Sequence, residues 1–326
     1  MSIDFKRLRK LKSNKWVRDL VQEHHLLPQD LIQPMFVVEG NNVSEPITSM
    51  PGIERFSVEK AISEIKKGMD LGINLFAIFP SLEPSLKDES AKEALNKNNL
   101  MCRAVAQIKD AIPNAPIMVD IALDPYTTHG HDGVVINDKV ANDETVDILT
   151  KYAVLLANAG ADVVAPSDSM DGRVIAINKA LEAEGHKDTL IISYAAKFCS
   201  SFYGPFRDAV RSTQTHYVDK NTYQINPSNT NEALNKIEHD IAEGADMIIV
   251  KPGLPYLDIV SKAKEYDVPI LSYQVSGEYA MMKAASMQNM LDFKRVMLES
   301  LLCTKRAGAS GILTYAATEV ASWLQE

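Results

Sequence analysis

The chain repeats one junction, in which a helical stretch ends at a glycine and a short apolar run follows at once. The junction occurs in the segments LGINLFAIF, AGADVVAP, EGADMIIV and AGASGILT, at Gly72, Gly160, Gly244 and Gly308. Glycine can end a helix because it adopts the left-handed conformation without a steric penalty. This repetition predicts αβ units of one kind in one large domain, rather than two unrelated domains.

Short apolar runs predict eight strands, and several of them are apolar throughout, as expected for a parallel sheet that is covered on both faces. The predicted strands are residues 31–39, 74–80, 116–123, 162–167, 189–197, 247–253, 269–276 and 311–317. Eight such units predict an α/β fold, a closed TIM (β/α)8 barrel. An open doubly wound sheet is the structural alternative, but the sequence has no GxGxxG motif to support its dinucleotide-binding form.

Helices are predicted between most of these strands. The segment SVEKAISEIKKGMDLG places Val58, Ile62, Ile65 and Met69 on one face, behind Ser57 as an N-cap. The segment NDETVDILTKYAVLLANAG begins with an Asn/Asp cap and an acidic first turn.

Residues 1–30 do not fit the barrel pattern. They are basic up to Arg18, and Trp16, Val17, Leu20 and Val21 form an apolar helical stripe. A solvated tail is one interpretation, and an arm that packs on another subunit is the other. We therefore predict an N-terminal oligomerisation arm, residues 1–30, followed by a catalytic barrel, residues 31–326.

Composition excludes several classes of protein. The net charge of −9 over 326 residues argues against a general affinity for nucleic acid or anionic membrane. No apolar run approaches the roughly 18 residues of a membrane span, and the basic start lacks the apolar core of a secretory signal. The three cysteines are far apart and form no CxxC pair, which favours a reducing, cytoplasmic location.

Polar residues collect at the predicted strand ends, where TIM barrels carry their catalytic groups. They are Asp120 with Asp124, Ser167 with Asp168, Lys197, Lys251, Ser276 and Tyr315. A lysine at a strand end is usually solvated, but two lysines within one such set favour a site. A neutral lysine can attack a carbonyl and form a Schiff base. Roughly one ordinary lysine in a few thousand is neutral at pH 7, so burial and a second cation would have to lower the pKa.

The segment between the fifth and sixth strands is too long for a simple connection. It reads CSSFYGPFRDAVRSTQTHYVDKNTYQINPSN and contains Arg207, Arg211 and Lys220, which could hold a carboxylate. A lid over the site is one interpretation, and a solvated surface loop is the other.

The segment DIALDPYTTHGHDG gathers carboxylates and histidines, namely Asp120, Asp124, His129, His131 and Asp132. Carboxylates favour a hard cation such as Mg²⁺, and zinc is less favoured without cysteine. The alternative is a loop in which these side chains only cap and turn the backbone.

Five motifs in order resemble the porphobilinogen synthase (δ-aminolevulinic acid dehydratase) family. They are DPYTTHGHDG, APSDSMDGR, SYAAKFCSSFYGPFRDA, VKPGLPYLDIV and YQVSGEYAM, and the resemblance runs from about Arg7 to the C-terminus. It implies a TIM barrel with an N-terminal arm, assembled as a homo-octamer or hexamer. It also implies condensation of two 5-aminolevulinate molecules in each active site to porphobilinogen and two waters, in haem biosynthesis.

The resemblance also implies roles for individual residues. Lys197 and Lys251 resemble the two Schiff-base lysines, and Lys251 resembles the one that holds the first substrate. The other implied substrate-binding residues are Ser276 and Tyr315 for the first carboxylate, Arg207, Lys220 and Gln224 for the second, and Asp120 and Ser167 beside the reacting atoms.

The chain departs from the family pattern in three places. Ala122, Asp124 and Asp132 stand where zinc-dependent members have cysteines, so no active-site Zn²⁺ is expected and Mg²⁺ at Asp124 and Asp132 is the remaining metal hypothesis. Lys220 replaces a usual arginine and loses its planar fork. Lys236 stands where magnesium-type members often have a glutamate, which puts an allosteric Mg²⁺ in doubt.

Two other functions remain open from the residues alone. A class I aldolase-like lyase would also use a barrel lysine, but needs only one Schiff base and no second carboxylate clamp. A non-catalytic barrel would not need both strand-end lysines.

Overall fold

The computed structural model of the chain describes residues 6–212 and 218–326. Its strands are β1 Leu31–Val37, β2 Ser44–Pro46, β3 Glu54–Phe56, β4 Leu75–Pro80, β5 Ile117–Ile121, β6 Val135–Ile136, β7 Lys139–Val140, β8 Val163–Pro166, β9 Leu190–Lys197, β10 Met247–Lys251, β11 Ile270–Gln274 and β12 Gly311–Thr314. Its α-helices are α1 Lys15–Leu20, α2 Val58–Asp70, α3 Leu100–Ala111, α4 Asn142–Asn158, α5 Arg173–Ala183, α6 Gly204–Ala209, α7 Thr230–Ala242, α8 Leu257–Ala263, α9 Ser276–Met287, α10 Phe293–Ala307 and α11 Ala317–Trp323.

Eight parallel strands close into a barrel. Their order is β1-β4-β5-β8-β9-β10-β11-β12, and β12 pairs in parallel with β1 through Ile32 and Leu313. This closure confirms the TIM barrel and rules out the open sheet. On β9 and β10 the register pairs Lys197 directly with Lys251, so both lysines leave the barrel at the same level.

The eight predicted strands all overlap the observed barrel strands, and most of the differences are a residue or two at each end. The sequence did not predict two short hairpins. In the first, β2 pairs antiparallel with β3, and β3 continues alongside the end of β1. In the second, β6 pairs with β7 between β5 and α4. These strands have two or three residues each, too few to show an alternating pattern.

The glycine junctions are confirmed, because Gly72, Gly160, Gly244 and Gly308 all have positive φ angles between 88° and 125°. Two helix details were wrong. Ser57 makes no side-chain cap on α2, since its Oγ instead accepts the N–H of Val43 at 3.0 Å. Helix α4 begins at Asn142 with Ala141 as its uncapped flanking residue, although its first turn is acidic as predicted.

The buried face of α2 is rotated from the predicted one. Val58 and Ile65 are buried, but Ala61 and Gly68 share that face while Ile62 and Met69 lie at its margin. Gly68 is required for this packing, since a Cβ there would lie 2.7 Å from the ring of Phe76. Small residues therefore set how closely α2 approaches the barrel, which an apolar pattern alone does not show.

The N-terminal segment leaves large apolar side chains in solvent. Trp16 and Leu20 of α1 are 67% and 76% exposed, and α1 has no buried residue. The first barrel strand begins at Leu31. Within the described residues, no helix is both long enough and apolar enough to cross a membrane.

Candidate active site

Lys251 ends β10 and points its amine into a nest of aromatic rings. The residue is only 6% exposed. Its Nζ lies 4.7 Å from the ring centroid of Tyr273, 5.0 Å from that of Tyr194, 5.2 Å from that of Phe206 and 5.3 Å from that of Tyr203. The apolar strand thus delivers an amine into a buried site lined by aromatic rings.

The buried environment of Lys251 lowers its pKa to about 7. Burial is the largest cause and the positive charge of Lys197 is the second, while Asp120, Asp124 and Asp132 act in the opposite direction. Near neutral pH a far larger fraction of the Lys251 amines is therefore neutral than the roughly one in a few thousand of an ordinary lysine. The neutral amine is the form that attacks a carbonyl.

Lys197, on the neighbouring strand, has the opposite character. Its Nζ donates to Asp132 Oδ1 at 2.9 Å and to the carbonyl oxygen of Ser167. Burial alone would lower the pKa of Lys197, but the nearby carboxylates, Asp132 above all, outweigh it and raise the pKa. Lys197 is therefore a fixed cation beside Lys251. Two titratable groups with pKa values pushed apart are typical of an acid–base site.

Asp132 is the hub of the polar half of the site. Its Oδ1 accepts from Lys197. Its Oδ2 accepts from Tyr223 at 2.8 Å, Lys220 at 3.0 Å and Gln224 at 3.3 Å. Burial would raise the pKa of Asp132, but Lys197 and Lys220 hold it well below the usual range. Asp132 is therefore an ionised carboxylate that both ammonium groups share.

Asp120 and Asp124 are also buried, and their pKa values shift in the opposite direction from that of Asp132. Burial, and then the charge of Asp124, raise the pKa of Asp120 to about 7. Burial and the charge of Asp132 likewise raise the pKa of Asp124. Asp120 therefore exchanges a proton near neutral pH and lies close enough to Lys251 and Lys197 for their charges to act on it.

The segment predicted to be a lid contributes α6 and one wall of a cavity of about 570 Å³. Arg207, Lys220 and Gln224, the three residues implied for the second carboxylate, all line this cavity. Arg211 does not join them, because its guanidinium pairs with Glu45 and Glu83. Residues 213–217 of this segment lie outside the described residues.

The two residues implied for the first carboxylate lie beside the aromatic nest. The Ser276 hydroxyl, at the start of α9, accepts the N–H of Phe206 at 3.0 Å. The hydroxyl of Tyr315 is 2.9 Å from that of Tyr273, whose ring contacts Lys251. Both hydroxyls are therefore engaged with protein groups, and a carboxylate would have to exchange with these partners.

Comparison with known proteins identifies the family. The family model named delta-aminolevulinic acid dehydratase matches residues 5–323. The chain belongs to the delta-aminolevulinic acid dehydratase family. It is 50% identical to the delta-aminolevulinic acid dehydratase of Bradyrhizobium diazoefficiens, with 98% of this chain and 91% of that one covered. It is 48% identical to that of Rhodobacter capsulatus, with 97% and 95% covered.

A solved structure agrees with this assignment. The delta-aminolevulinic acid dehydratase (porphobilinogen synthase) of Toxoplasma gondii ME49, in complex with the reaction product porphobilinogen, superposes with a TM-score of 0.95 at 47% identity. The match covers 98% of this chain and 91% of that one. The family resemblance of the five motifs is therefore confirmed over nearly the whole chain.

The metal hypothesis concerns Asp124 and Asp132. Within residues 6–212 and 218–326, no group of three or more His, Cys, Asp or Glu side chains is placed to hold an ion. Both oxygens of Asp132 already accept from ammonium groups. Asp120 and Asp124 lie close enough for the charge of Asp124 to raise the pKa of Asp120, and Mg²⁺ at Asp124 and Asp132 stays a prediction.

The two histidines of the same segment are neutral members of a hydrogen-bonded loop. His129 Nδ1 accepts the N–H of His131 at 3.2 Å, and His131 Nδ1 lies 3.1 Å from the hydroxyl of Tyr223. Burial lowers the pKa of both rings, that of His131 to about 4. Through the Tyr223 hydroxyl, which donates to Asp132 Oδ2, His131 is linked to Asp132.

Sequence reasoning missed a buried arginine that holds α6 in place. Arg55 Nε donates to the carbonyl of Ala209 at 2.7 Å and Nη2 to that of Asp208 at 2.5 Å, while Nη1 pairs with Glu45 at 2.9 Å. These carbonyls lie in the last turn of α6, where regular helix hydrogen bonds end, and that of Asp208 also accepts the N–H of Arg211 at 3.1 Å. Because Arg55 lies on β3 and Glu45 on β2, the clamp could not be predicted without the β2–β3 hairpin.

Proposed function

We propose that Lys251 is the amine that first attacks substrate and that Lys197 is the second Schiff-base lysine. As a member of its family the chain is a lyase that condenses two 5-aminolevulinate molecules to porphobilinogen. The observation that carries the proposal is the pairing of two buried lysines on adjacent strands, one with a lowered pKa and one with a raised pKa. Lys251 is the amine that can react, and the positive charge of Lys197 helps to keep the pKa of Lys251 low.

In the first step the neutral Lys251 amine adds to the ketone carbon of one substrate. The nitrogen then loses its protons, the oxygen leaves as water, and a carbon–nitrogen double bond remains. A group that exchanges a proton near pH 7 is needed to protonate the departing oxygen. Asp120 meets that requirement, with a pKa of about 7 and a position in the field of both lysines. Ser276 and Tyr315 are proposed to bind the carboxylate of this substrate.

The second substrate is proposed to enter through the cavity of the α6 segment. Arg207, Lys220 and Gln224 would hold its carboxylate, and Lys220 must then leave Asp132, its present partner at 3.0 Å. Lys197 must lose a proton before it can form its own Schiff base. Ser167 is proposed to help orient this second centre, since its carbonyl already accepts from Lys197.

The alternatives account for fewer of these features. A class I aldolase-like lyase needs one reactive lysine and leaves the second lysine and its carboxylate-binding cavity without a role. A non-catalytic barrel has no use for an amine whose burial costs several kcal/mol. Trapping with borohydride separates the three proposals, since they expect adducts on both lysines, on one or on neither.

The finer properties of the protein are proposed from its sequence and surface. Residues 1–30 are proposed to be an arm that docks on another copy and buries Trp16 and Leu20, in a homo-octamer or a hexamer. The location is proposed to be cytoplasmic, with 5-aminolevulinate as substrate and with neither nucleic acid nor membrane as a partner. Sedimentation of the intact chain, compared with the chain lacking residues 1–30, tests the role of the arm.

Chelation is expected to leave turnover of 5-aminolevulinate nearly unchanged, because two ammonium groups already neutralise Asp132 where a metal would sit. The measurement is the initial rate after EDTA treatment and dialysis, with Mg²⁺ or Zn²⁺ added back separately. Zinc is not expected to raise the rate, since Ala122, Asp124 and Asp132 offer no thiolate. Loss of activity under EDTA that one equivalent of either ion restores would contradict the proposal.

Lys236 is proposed to supply the positive charge that an allosteric Mg²⁺ would otherwise bring. Its Nζ lies 3.0 Å from Asp171 Oδ1 and 3.8 Å from Asp240 Oδ1. The pair with Asp171, whose side chain is 92% exposed, is worth only ~0–1 kcal/mol while it faces solvent. The chelated sample is therefore also sized by sedimentation across a magnesium titration. Dissociation under EDTA and reassembly with Mg²⁺ would overturn this role for Lys236.

A further inference from the structure

A fully buried carboxylate lies behind the reactive amine without contacting it. Glu278, on the first turn of α9, is 0% exposed. Its Oε1 accepts the N–H of Leu254 at 2.7 Å, and its Oε2 accepts those of Val275 at 2.8 Å and Gly253 at 3.1 Å. Within the described part of the chain, all of these bonds go to backbone and none to a cation. Glu278 therefore binds the turn at Gly253 and Leu254 and the turn at Val275.

Those two turns carry the groups that define the first substrate site. Gly253 and Leu254 follow Lys251 at the end of β10, and Val275 precedes Ser276 at the end of β11. Backbone hydrogen bonds between neighbouring strands fix the relative position of those strands. They do not fix the residues just beyond the strand ends. Three hydrogen bonds accepted by the one buried Glu278 side chain fix both turns relative to each other.

We infer that Glu278 is a positioning residue, which holds the turn after Lys251 against the turn before Ser276 and so aims the amine at the substrate ketone. The packing of Gly253 supports this. A Cβ at Gly253 would lie 3.2 Å from the carbonyl oxygen of Tyr273 and 3.3 Å from the Gln274 nitrogen. A side chain at Gly253 would therefore crowd the backbone of β11, and the N–H of the same residue is held by Glu278.

The inference rests on the proposed role of Lys251 and is tested with levulinate. This probe keeps the ketone and carboxylate of 5-aminolevulinate but lacks the amino group, so it can form the Schiff base and go no further. Borohydride reduces the carbon–nitrogen double bond to a stable amine, and peptide mass spectrometry locates and counts the adduct at Lys251. If the natural chain forms no such adduct, the proposed function fails and not this inference.

Glu278→Gln is expected to lower the maximal rate of adduct formation at Lys251 by at least about tenfold, because a 1 Å error in position can cost more than that. An amide has one acceptor oxygen and would turn an NH2 group toward a backbone N–H. The levulinate concentration for half-maximal rate should change less than the maximal rate, since Tyr315, the other proposed carboxylate binder, follows β12 and is not held by Glu278. Glu265→Gln, an exposed glutamate after α8, is the matched control and should behave as the natural chain.

A second variant keeps the inference testable if Glu278→Gln does not fold. Gly253→Ala displaces the same turn by steric contact and leaves Glu278 intact, so it should lower the maximal rate in the same way. The inference is overturned if a folded Glu278→Gln, or Gly253→Ala in its place, reaches the maximal rate of the natural chain. It is also overturned if the loss appears only in the half-saturating concentration, because the residue would then act on binding and not on the aim of the amine.

Discussion

Lys251→Met is expected to lower turnover of 5-aminolevulinate by at least about a thousandfold, as loss of a nucleophile does in other enzymes. Methionine keeps the length and apolar character of the stem and removes only the amine. The matched control is Lys262→Met on the exposed face of α8, which should keep full activity. The measurement is the rate of product formation by protein that has been shown to be folded by circular dichroism.

The same variant is expected to be more stable than the natural chain at pH 7, by up to about 4 kcal/mol. The folded pKa of Lys251 is about 7 and the ordinary value is 10.5, so the unfolded chain binds more protons between these values. Stability of the natural chain therefore rises with pH across that window, while the variant lacks this term. Denaturant unfolding should show the difference at pH 7 and its disappearance near pH 10.5.

Substantial turnover by folded Lys251→Met protein would contradict the assignment of Lys251 as the nucleophile.

Asp132→Asn is expected to cost both stability and activity, because it removes the shared partner of two buried cations. The side chains of Lys197 and Lys220 are only 7% and 14% exposed, so neither can recover its charge interaction from water. Loss of one partner of a buried ion pair costs about 3–5 kcal/mol. Turnover should fall by about a hundredfold or more, since both Lys197 and Lys220 would lose their positions.

The control for this variant is Asp267→Asn, an exposed aspartate before β11. Unfolding in urea and the rate of product formation are measured for both variants beside the natural chain. If Asp132→Asn keeps the stability and the turnover of the natural chain, Asp132 is not the electrostatic hub of the site. A requirement for Mg²⁺ that appears in the natural chain and disappears in Asp132→Asn would instead make Asp132 a metal ligand.

The barrel could be predicted because its signals are local and repeated. Gly72, Gly160, Gly244 and Gly308 each end a helix before a strand, and this punctuation needs no knowledge of distant contacts. Strand ends of a parallel barrel meet at one face, so the meeting of Lys197 and Lys251 followed from the same reasoning. In the structure, Lys197 on β9 pairs directly with Lys251 on β10.

The partners of these residues could not be predicted in the same way. The sequence places Asp120, Asp124 and Asp132 in one segment, but only folding decides that Asp132 is the carboxylate that accepts from both Lys197 and Lys220. Arg55 and Glu278 were missed for a related reason. Arg55 binds the carbonyls that end α6 and Glu278 binds the N–H groups that follow β10, and a distant backbone N–H or carbonyl leaves no trace in the sequence.

The pH dependence of adduct formation at Lys251 tests the central claim most directly, namely that burial and Lys197 make this amine reactive at neutral pH. The initial rate of borohydride-trapped levulinate adduct at Lys251 is measured from pH 5 to pH 10 in the natural chain and in Lys197→Met. Because the neutral amine attacks, the rate should rise with pH, with a midpoint at about 7, and level off above it. In Lys197→Met the midpoint should move upward, since the second cation no longer opposes protonation. A midpoint near 10.5 in the natural chain, the ordinary value for lysine, or an unchanged midpoint in Lys197→Met, would contradict the account.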